Sequence, residues 1–235
     1  MADALSRASR PIPLDERLLP RTAEGEVTHR RFDWTARSAP RYASTLLAIY
    51  PDAAGQLIIP LTVRRVELRA HGGEVSLPGG SVDPSDASRE AAALREAWEE
   101  IGLEPGLVRV AGELEDVWIP GSNFMLRPFV GTVTSRPALV PQDAEVASIV
   151  ELPLAALFDE SVIGVEEFAV RDLLIQAGAY RYGGVRVWGA TALTLGMLAH
   201  VLEGGPLSAA SEPSSLAPSA SQAERRVVPA ARRRR

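Results

Sequence analysis

From Ala43 onward, the apolar positions gather into short runs separated by turn-forming residues. Residues 44–50 and 56–63 are two such runs, rich in Leu, Ile and Val. They are joined by Pro51-Asp52-Ala53-Ala54-Gly55, a pattern that predicts two strands and a turn. Pro60, inside the second run, has no N–H to give to a ladder, which predicts an edge position or a bulge there. Further strands are predicted at 108–114, 125–133 and 149–152, with a short helix at Leu154–Phe158. Two longer segments read as helices, one over about 88–101 with Gly102 as its stop, the other over 190–202. Strands interleaved with helices, and turns short enough for antiparallel neighbours, predict an α/β (α+β) fold in which a mixed sheet lies between helices.

The ends of the chain read differently. Residues 1–41 are rich in Arg, Pro and Ser and predict a partly ordered N-terminal arm, docked on the body through Phe32 and Trp34. Residues 42–203 form the predicted domain. Beyond Glu203 the sequence is Gly, Pro, Ser and Ala with few large apolar side chains, so 204–235 is expected to be a disordered tail with an Arg-rich end. The longest apolar stretch, 190–202, has 13 residues, short of the ~20 needed to cross a bilayer. With no apolar signal stretch in the first twenty residues, a cytoplasmic protein is expected.

Composition removes several chemistries. There is no cysteine, so disulfides, thiolate zinc sites and cysteine nucleophiles are excluded. All 25 basic residues are arginine, which excludes a phosphate-binding loop with its lysine and any lysine Schiff base. The net charge of −5 is uneven: six arginines lie in the last eleven residues, and the remainder carries 19 basic against 30 acidic residues, a net of −11. An acidic body argues against nucleic acid as a partner except through that tail.

The most informative segment is Arg95-Glu96-Ala97-Trp98-Glu99-Glu100-Ile101-Gly102-Leu103. At helical spacing Glu96, Glu99 and Glu100 fall within roughly 100° of one another, with Ala93, Leu94, Ala97, Trp98 and Ile101 on the other side. A solvated acidic face is the plain reading. Against it, the like charges repel, no basic residue follows at i+4, and the helix C-terminus favours cations. A hard divalent cation such as Mg²⁺ or Mn²⁺ would reverse these penalties. The preceding Leu77-Pro78-Gly79-Gly80 is a turn that lets backbone approach a phosphate closely.

This segment resembles the Nudix hydrolase signature G-x5-E-x7-R-E-U-x-E-E-x-G-U, U being aliphatic. The half from Arg95 to Leu103 is intact. In the first half Asp86 stands where the signature has Glu, and eight residues rather than seven separate it from Arg95; Asp83 is the other upstream acid. The flank 61–80 is similar to L-L-T-x-R-[SA]-x3-R-x3-G-x3-F-P-G-G of the coenzyme A diphosphatase subgroup, with Arg64, Arg69, Gly73, Pro78, Gly79 and Gly80 in register. Pro60, Arg65 and Leu77 depart from it, as does 118–124 from the subgroup's Thr-Pro-Ser-Gly-Phe type of loop.

The resemblance implies a metal-dependent hydrolase that cleaves the diphosphate of coenzyme A or its thioesters to 3′,5′-ADP and a 4′-phosphopantetheine product. It implies Glu96, Glu99 and Glu100 as ligands of Mg²⁺ or Mn²⁺, and Arg95 as the group that orients a glutamate by bidentate pairing. Glu145, ahead of Leu152-Pro153-Leu154, would be the general base, and Glu99, Glu100, Glu145 and Arg95 together the catalytic set. Arg64 and Arg69 would meet substrate phosphates beside Gly79 and Gly80. A homodimer is a further expectation. Two other readings stand beside this one: the same chemistry on ADP-ribose, NADH or another nucleoside diphosphate derivative, and a non-catalytic nucleotide- or nucleic-acid-binding protein that uses the basic tail. His71 is read as structural or solvent-facing, and Trp98 and Trp188 as structural, Trp98 on the apolar side of its helix.

Overall fold

A computed structural model of the protein describes residues 1–8, 11–22, 25–27, 39–65, 73–142, 144–170 and 173–203. In chain order the elements are α1 (Ala2–Arg7), β1 (Arg41–Pro51), β2 (Leu57–Arg64), β3 (Val75–Ser76), β4 (Gly79–Ser81), α2 (Arg89–Ile101), β5 (Arg109–Glu113), β6 (Val117–Ile119), β7 (Phe124–Thr132), β8 (Val146–Pro153), β9 (Ile163–Val170), β10 (Leu173–Tyr182), β11 (Val185–Val187) and α3 (Gly189–Glu203). Single 3-10 turns lie at Glu16–Leu18, Pro105–Leu107, Leu154–Phe158 and Glu160–Val162.

Strand β1 reads as an unbroken apolar run because it is covered on both faces. Leu46, Ala48 and Tyr50 enter one core with Ala93, Ala97 and Ile101 of α2. Leu47 and Ile49 enter the other with Leu193, Leu195, Met197 and Leu198 of α3. This is the period-2 alternation of a strand between two layers. The main sheet is mixed: β1 runs parallel to β7 from Arg41↔Phe124 to Ile49↔Thr132 and antiparallel to β4. The order is β3-β2-β1-β7-β5, with β4 on β1, β6 on β7 and β8 on β2. The expected class, a mixed sheet between helices, is the one observed.

Pro60 is not at an edge. On one side β2 pairs with β8 continuously from Ile58 to Arg64, including Pro60↔Glu151. On the other it pairs with β1 only at Leu57 and Ile58, and with β3 only at Thr62 and Val63. Pro60 falls in the gap between those two partners, where the missing N–H costs the sheet nothing. The bulge lies later, between Val63 and Arg64.

The short helix expected at Leu154–Phe158 is present with those bounds, as a 3-10 helix. A three-stranded sheet, β11-β10-β9, was not expected from the sequence. The N-terminal segment is part of the core: Leu5, Ile12 and Leu18 are buried in the cluster that holds α3, and the Ile12 N–H donates to Glu115 Oε1 at 3.3 Å. Phe32, Trp34 and the Arg-rich tail lie outside the described residues. Among the described residues no helix is long and apolar enough to cross a membrane.

Candidate active site

Local sequence sets the limits of α2. The Ser88 hydroxyl accepts from the Ala91 N–H at 3.0 Å, an N-cap worth about 1 kcal/mol. Gly102 ends the helix with φ 67°, the left-handed geometry that favours glycine. Ala92, Ala93, Ala97 and Ile101 are buried against the sheet, and this rotation brings Glu96 and Glu100 to the turn between β3 and β4. There the Gly79 N–H donates to Glu100 Oε2 at 3.1 Å. A Cβ on Gly80 would lie 2.6 Å from the Glu96 carboxylate. The two glycines are therefore required by close approach: Gly79, at φ 157°, packs against the backbone of Ser44 and Thr45, and Gly80 packs against Glu96.

Arg95 holds the acidic face together. Its Nε and Nη2 reach Asp86 at 2.9 and 3.0 Å, its Nη1 reaches Glu96 at 3.0 Å and Glu99 at 2.8 Å, and Nη2 also donates to the Ser81 carbonyl. Two expectations are corrected here. The bidentate partner is Asp86, while the glutamates receive one hydrogen bond each. The repulsion along the helix is also relieved, by an arginine one turn before Glu99 instead of one following it. Hydrogen bonds from Arg95 hold the Asp86 carboxyl below the usual range. Asp83 accepts from Ser85 instead.

Glu100 is only 5 % exposed. Burial pushes its pKa up to about 7, against the opposing pull of the Gly79 N–H and Arg64. Glu96 is raised by the same cause. Arg64, on β2, stands over this buried acid: Nη1 is 3.7 Å from Glu100 Oε1 and Nη2 is 3.8 Å from Glu145 Oε2. Glu145 sits just before β8, tied to the strand end by the Arg65 N–H donating to its carbonyl at 3.0 Å. Arg64, Glu96, Glu99, Glu100, Glu145, Arg95, Gly79 and Gly80 are thus in one neighbourhood. Arg69 and His71 lie outside the described residues.

Among the described residues no three His, Asp or Glu side chains converge tightly enough to hold an ion, because Glu96 and Glu99 lean on Arg95 and Glu100 on Gly79. The donor set still fits a hard divalent cation in kind. It offers only carboxylate oxygen, and one of its members is an anion that burial disfavours unless a cation compensates it.

Two further residues depart from expectation. Trp98 is 51 % exposed, since it lies past Leu94 at the outer margin of the apolar stripe. Arg89, which no motif in the sequence marks, anchors the start of α2: it donates to the carbonyls of Ala43 and Met125 at 3.0 and 2.9 Å and pairs with Asp116 at 3.0 Å. Its partners are 27 or more positions away, so spacing offered no signal. Trp188 stacks on Phe168, with ring centroids 4.2 Å apart.

The NUDIX domain model matches residues 42–169. A Nudix hydrolase named NudL from Photorhabdus laumondii is 34% identical over 163 residues, covering 69% of this chain and 86% of that protein. Its namesake from Citrobacter koseri is 36% identical over 157 residues, covering 65% and 78%. A Nudix hydrolase structure from M. smegmatis, RenU, superposes with a TM-score of 0.48 at 22% identity, over 80% of this chain and 95% of that one. The chain belongs to the Nudix family, as a hydrolase acting on pyrophosphate bonds. Nudix hydrolases act on small nucleotide derivatives and in general use divalent metal ions.

Proposed function

We propose that this hydrolase cleaves the diphosphate of coenzyme A or its thioesters, with Mg²⁺ or Mn²⁺ held by Glu96, Glu99 and Glu100. The observation that carries the substrate reading is Arg64: the arginine of the subgroup-like flank stands beside Glu100 at ion-pair distance, with hydrogen-bonding capacity left for a phosphate. The metal would supply charge neutralisation at the phosphate oxygens and acidify a bound water. Arg95, fastened to Asp86, keeps Glu96 and Glu99 on one face. Gly79 and Gly80 let the turn close on Glu96 and Glu100 beside the diphosphate, and Arg64 with Arg69 receives its negative charge. Glu145 takes the proton as water adds to phosphorus, and the phosphate ester of the other half departs. Cleavage yields 3′,5′-ADP and 4′-phosphopantetheine or its acyl derivative.

One observation favours a second reading, the same chemistry on ADP-ribose, NADH or a related dinucleotide. The segment 118–124 differs from the subgroup's loop, and here Trp118 is buried with its indole N–H on Asn123 Oδ1 at 3.2 Å. Product analysis with coenzyme A, dephospho-coenzyme A, ADP-ribose and NADH, each with Mg²⁺, Mn²⁺ or chelator, separates the two. Metal-dependent release of 3′,5′-ADP, with the dephospho form a poor substrate, is expected. Preferred turnover of ADP-ribose or NADH would replace the substrate and keep the chemistry.

A further inference from the structure

The two arginines of the site are engaged very differently. Arg95 spends its donors on five hydrogen bonds of 2.8 to 3.1 Å. Arg64 approaches its two carboxylates only to 3.7 and 3.8 Å, beyond hydrogen-bonding distance, and its buried Nε has no hydrogen-bond partner among the described residues. Its backbone, in contrast, is fixed: the Arg64 N–H donates to the Glu74 carbonyl and its own carbonyl accepts from Gly73, at 2.9 and 3.0 Å, while β8 pairs alongside. A full positive charge is therefore held over the buried Glu100 by position and not by committed bonds.

We infer that Arg64 is a stand-in cation for Glu100, and that it couples metal binding to phosphate binding by changing partner. The inference rests on the proposed metal role of Glu96, Glu99 and Glu100. With no substrate present, the guanidinium supplies part of the positive charge that Glu100 needs, and repels a divalent ion that would take the same carboxylate. A diphosphate offers Arg64 oxygens at bidentate spacing, for which a guanidinium is well shaped. Once turned to the phosphate, the arginine no longer opposes the metal. Metal and phosphate then strengthen each other's binding by the same factor, as linkage requires. Glu145, on the other side of the guanidinium, is released by the same movement. An arginine that merely attracted substrate would leave affinity for the metal alone untouched, and one that merely braced the fold would lower it.

The test is Mn²⁺ binding to the full chain, followed by the electron paramagnetic resonance of free Mn²⁺. Wild type, Arg64→Gln, Arg64→Ala and Glu100→Gln are each titrated alone and with methylenediphosphonate, corrected by a protein-free titration. Arg64→Gln keeps length and donors without charge, and far-ultraviolet circular dichroism and melting show which variants are folded. Without the diphosphonate, both Arg64 variants are expected to bind Mn²⁺ more tightly than wild type, by about threefold to tenfold for one charge removed at this range. With it, the enhancement seen in wild type shrinks. Unchanged or weaker Mn²⁺ binding by a folded Arg64 variant would overturn the inference alone. Equal binding by wild type and Glu100→Gln, or none by wild type, would overturn the metal reading beneath it as well.

Discussion

The Glu96 carboxylate rests on the bare Cα of Gly80, so close that a single added methyl would stand 2.6 Å from its carbon and both oxygens. The turn and the helix are in this way fitted to each other with no spare volume, although they are sixteen positions apart. Glu96 is also fastened to Arg95, so the collision cannot be relieved by a free rotation of the side chain. Gly80→Ala should therefore displace the glutamate before it unfolds the domain. Stability is expected to fall by about 1–3 kcal/mol, the usual range for overpacking, while kcat falls by tenfold or more, on the order of what a misplaced catalytic group costs. A variant with wild-type kcat and a lowered melting temperature would show that Glu96 has no part in catalysis.

Glu99 and Glu100 differ in what they cost the apo protein. Glu99 is exposed and meets only Arg95 among its described contacts, so Glu99→Gln should change stability by no more than about 0.5 kcal/mol, as for most surface positions. Turnover should nonetheless vanish, since a carboxylate is replaced at nearly constant volume by an amide that binds metal poorly. Near-normal activity of the variant at saturating Mg²⁺ would sink the assignment of Glu99 as a ligand.

Asp86 lies ahead of the helix that carries the glutamates, and it takes two parallel hydrogen bonds from Arg95. Its role is to set the guanidinium that in turn sets Glu96 and Glu99. Asp86→Asn keeps the shape and loses the charge and one acceptor. An outer partner of this kind typically contributes 10- to 100-fold, about the loss expected here in metal affinity or kcat/KM. Asp86→Glu, the residue of the family signature, is expected to recover part of the loss. If Asp86→Asn binds Mn²⁺ like wild type, Arg95 does not depend on it.

The helix that carries the site was legible because one period governs it: Ala93, Ala97 and Ile101 recur at helical spacing, Ser88 and Gly102 mark its ends, and the observed bounds Arg89–Ile101 differ from the expected ones by a single residue. β1 was legible as a continuous apolar run because it is covered on both faces. β9 and β10 were not, because their pattern mixes roles: Val165 and Leu174 are exposed while Phe168 and Ile175 are buried, so neither face is cleanly polar. Their pairing also depends on distant chain, as where Arg21 bridges to Gln176 and Gly178 makes room for the Arg17 carbonyl. In the site, residue types announced the carboxylates, but the Arg95–Asp86 pair and the Arg89 anchor are contacts made by folding.

The buried Glu100 makes a prediction about pH whose sign differs between the apo and metal-loaded forms. Its folded pKa, about 7, stands above the ordinary carboxyl value, so the apo folded state binds more protons than the unfolded chain in the interval between them. The resulting stabilisation is fully present below the unfolded value, near 4.5, and is lost as pH rises through about 7. It amounts at most to about 3 kcal/mol. With chelator present, the melting temperature of wild type should therefore decline between pH 5 and 7.5 relative to that of Glu100→Gln, whose amide does not titrate. If Glu100 ligates the ion as proposed, the trend should reverse with saturating Mg²⁺, since the ion would need the ionised carboxylate and its binding would release protons. The stabilisation by Mg²⁺ should thus grow with pH through the same window, and calorimetry in two buffers of different ionisation enthalpy should register the proton release. Parallel melting profiles for wild type and Glu100→Gln in chelator would show that Glu100 is ionised in the apo protein throughout, and that burial at this position is compensated by Arg64 and the Gly79 N–H alone.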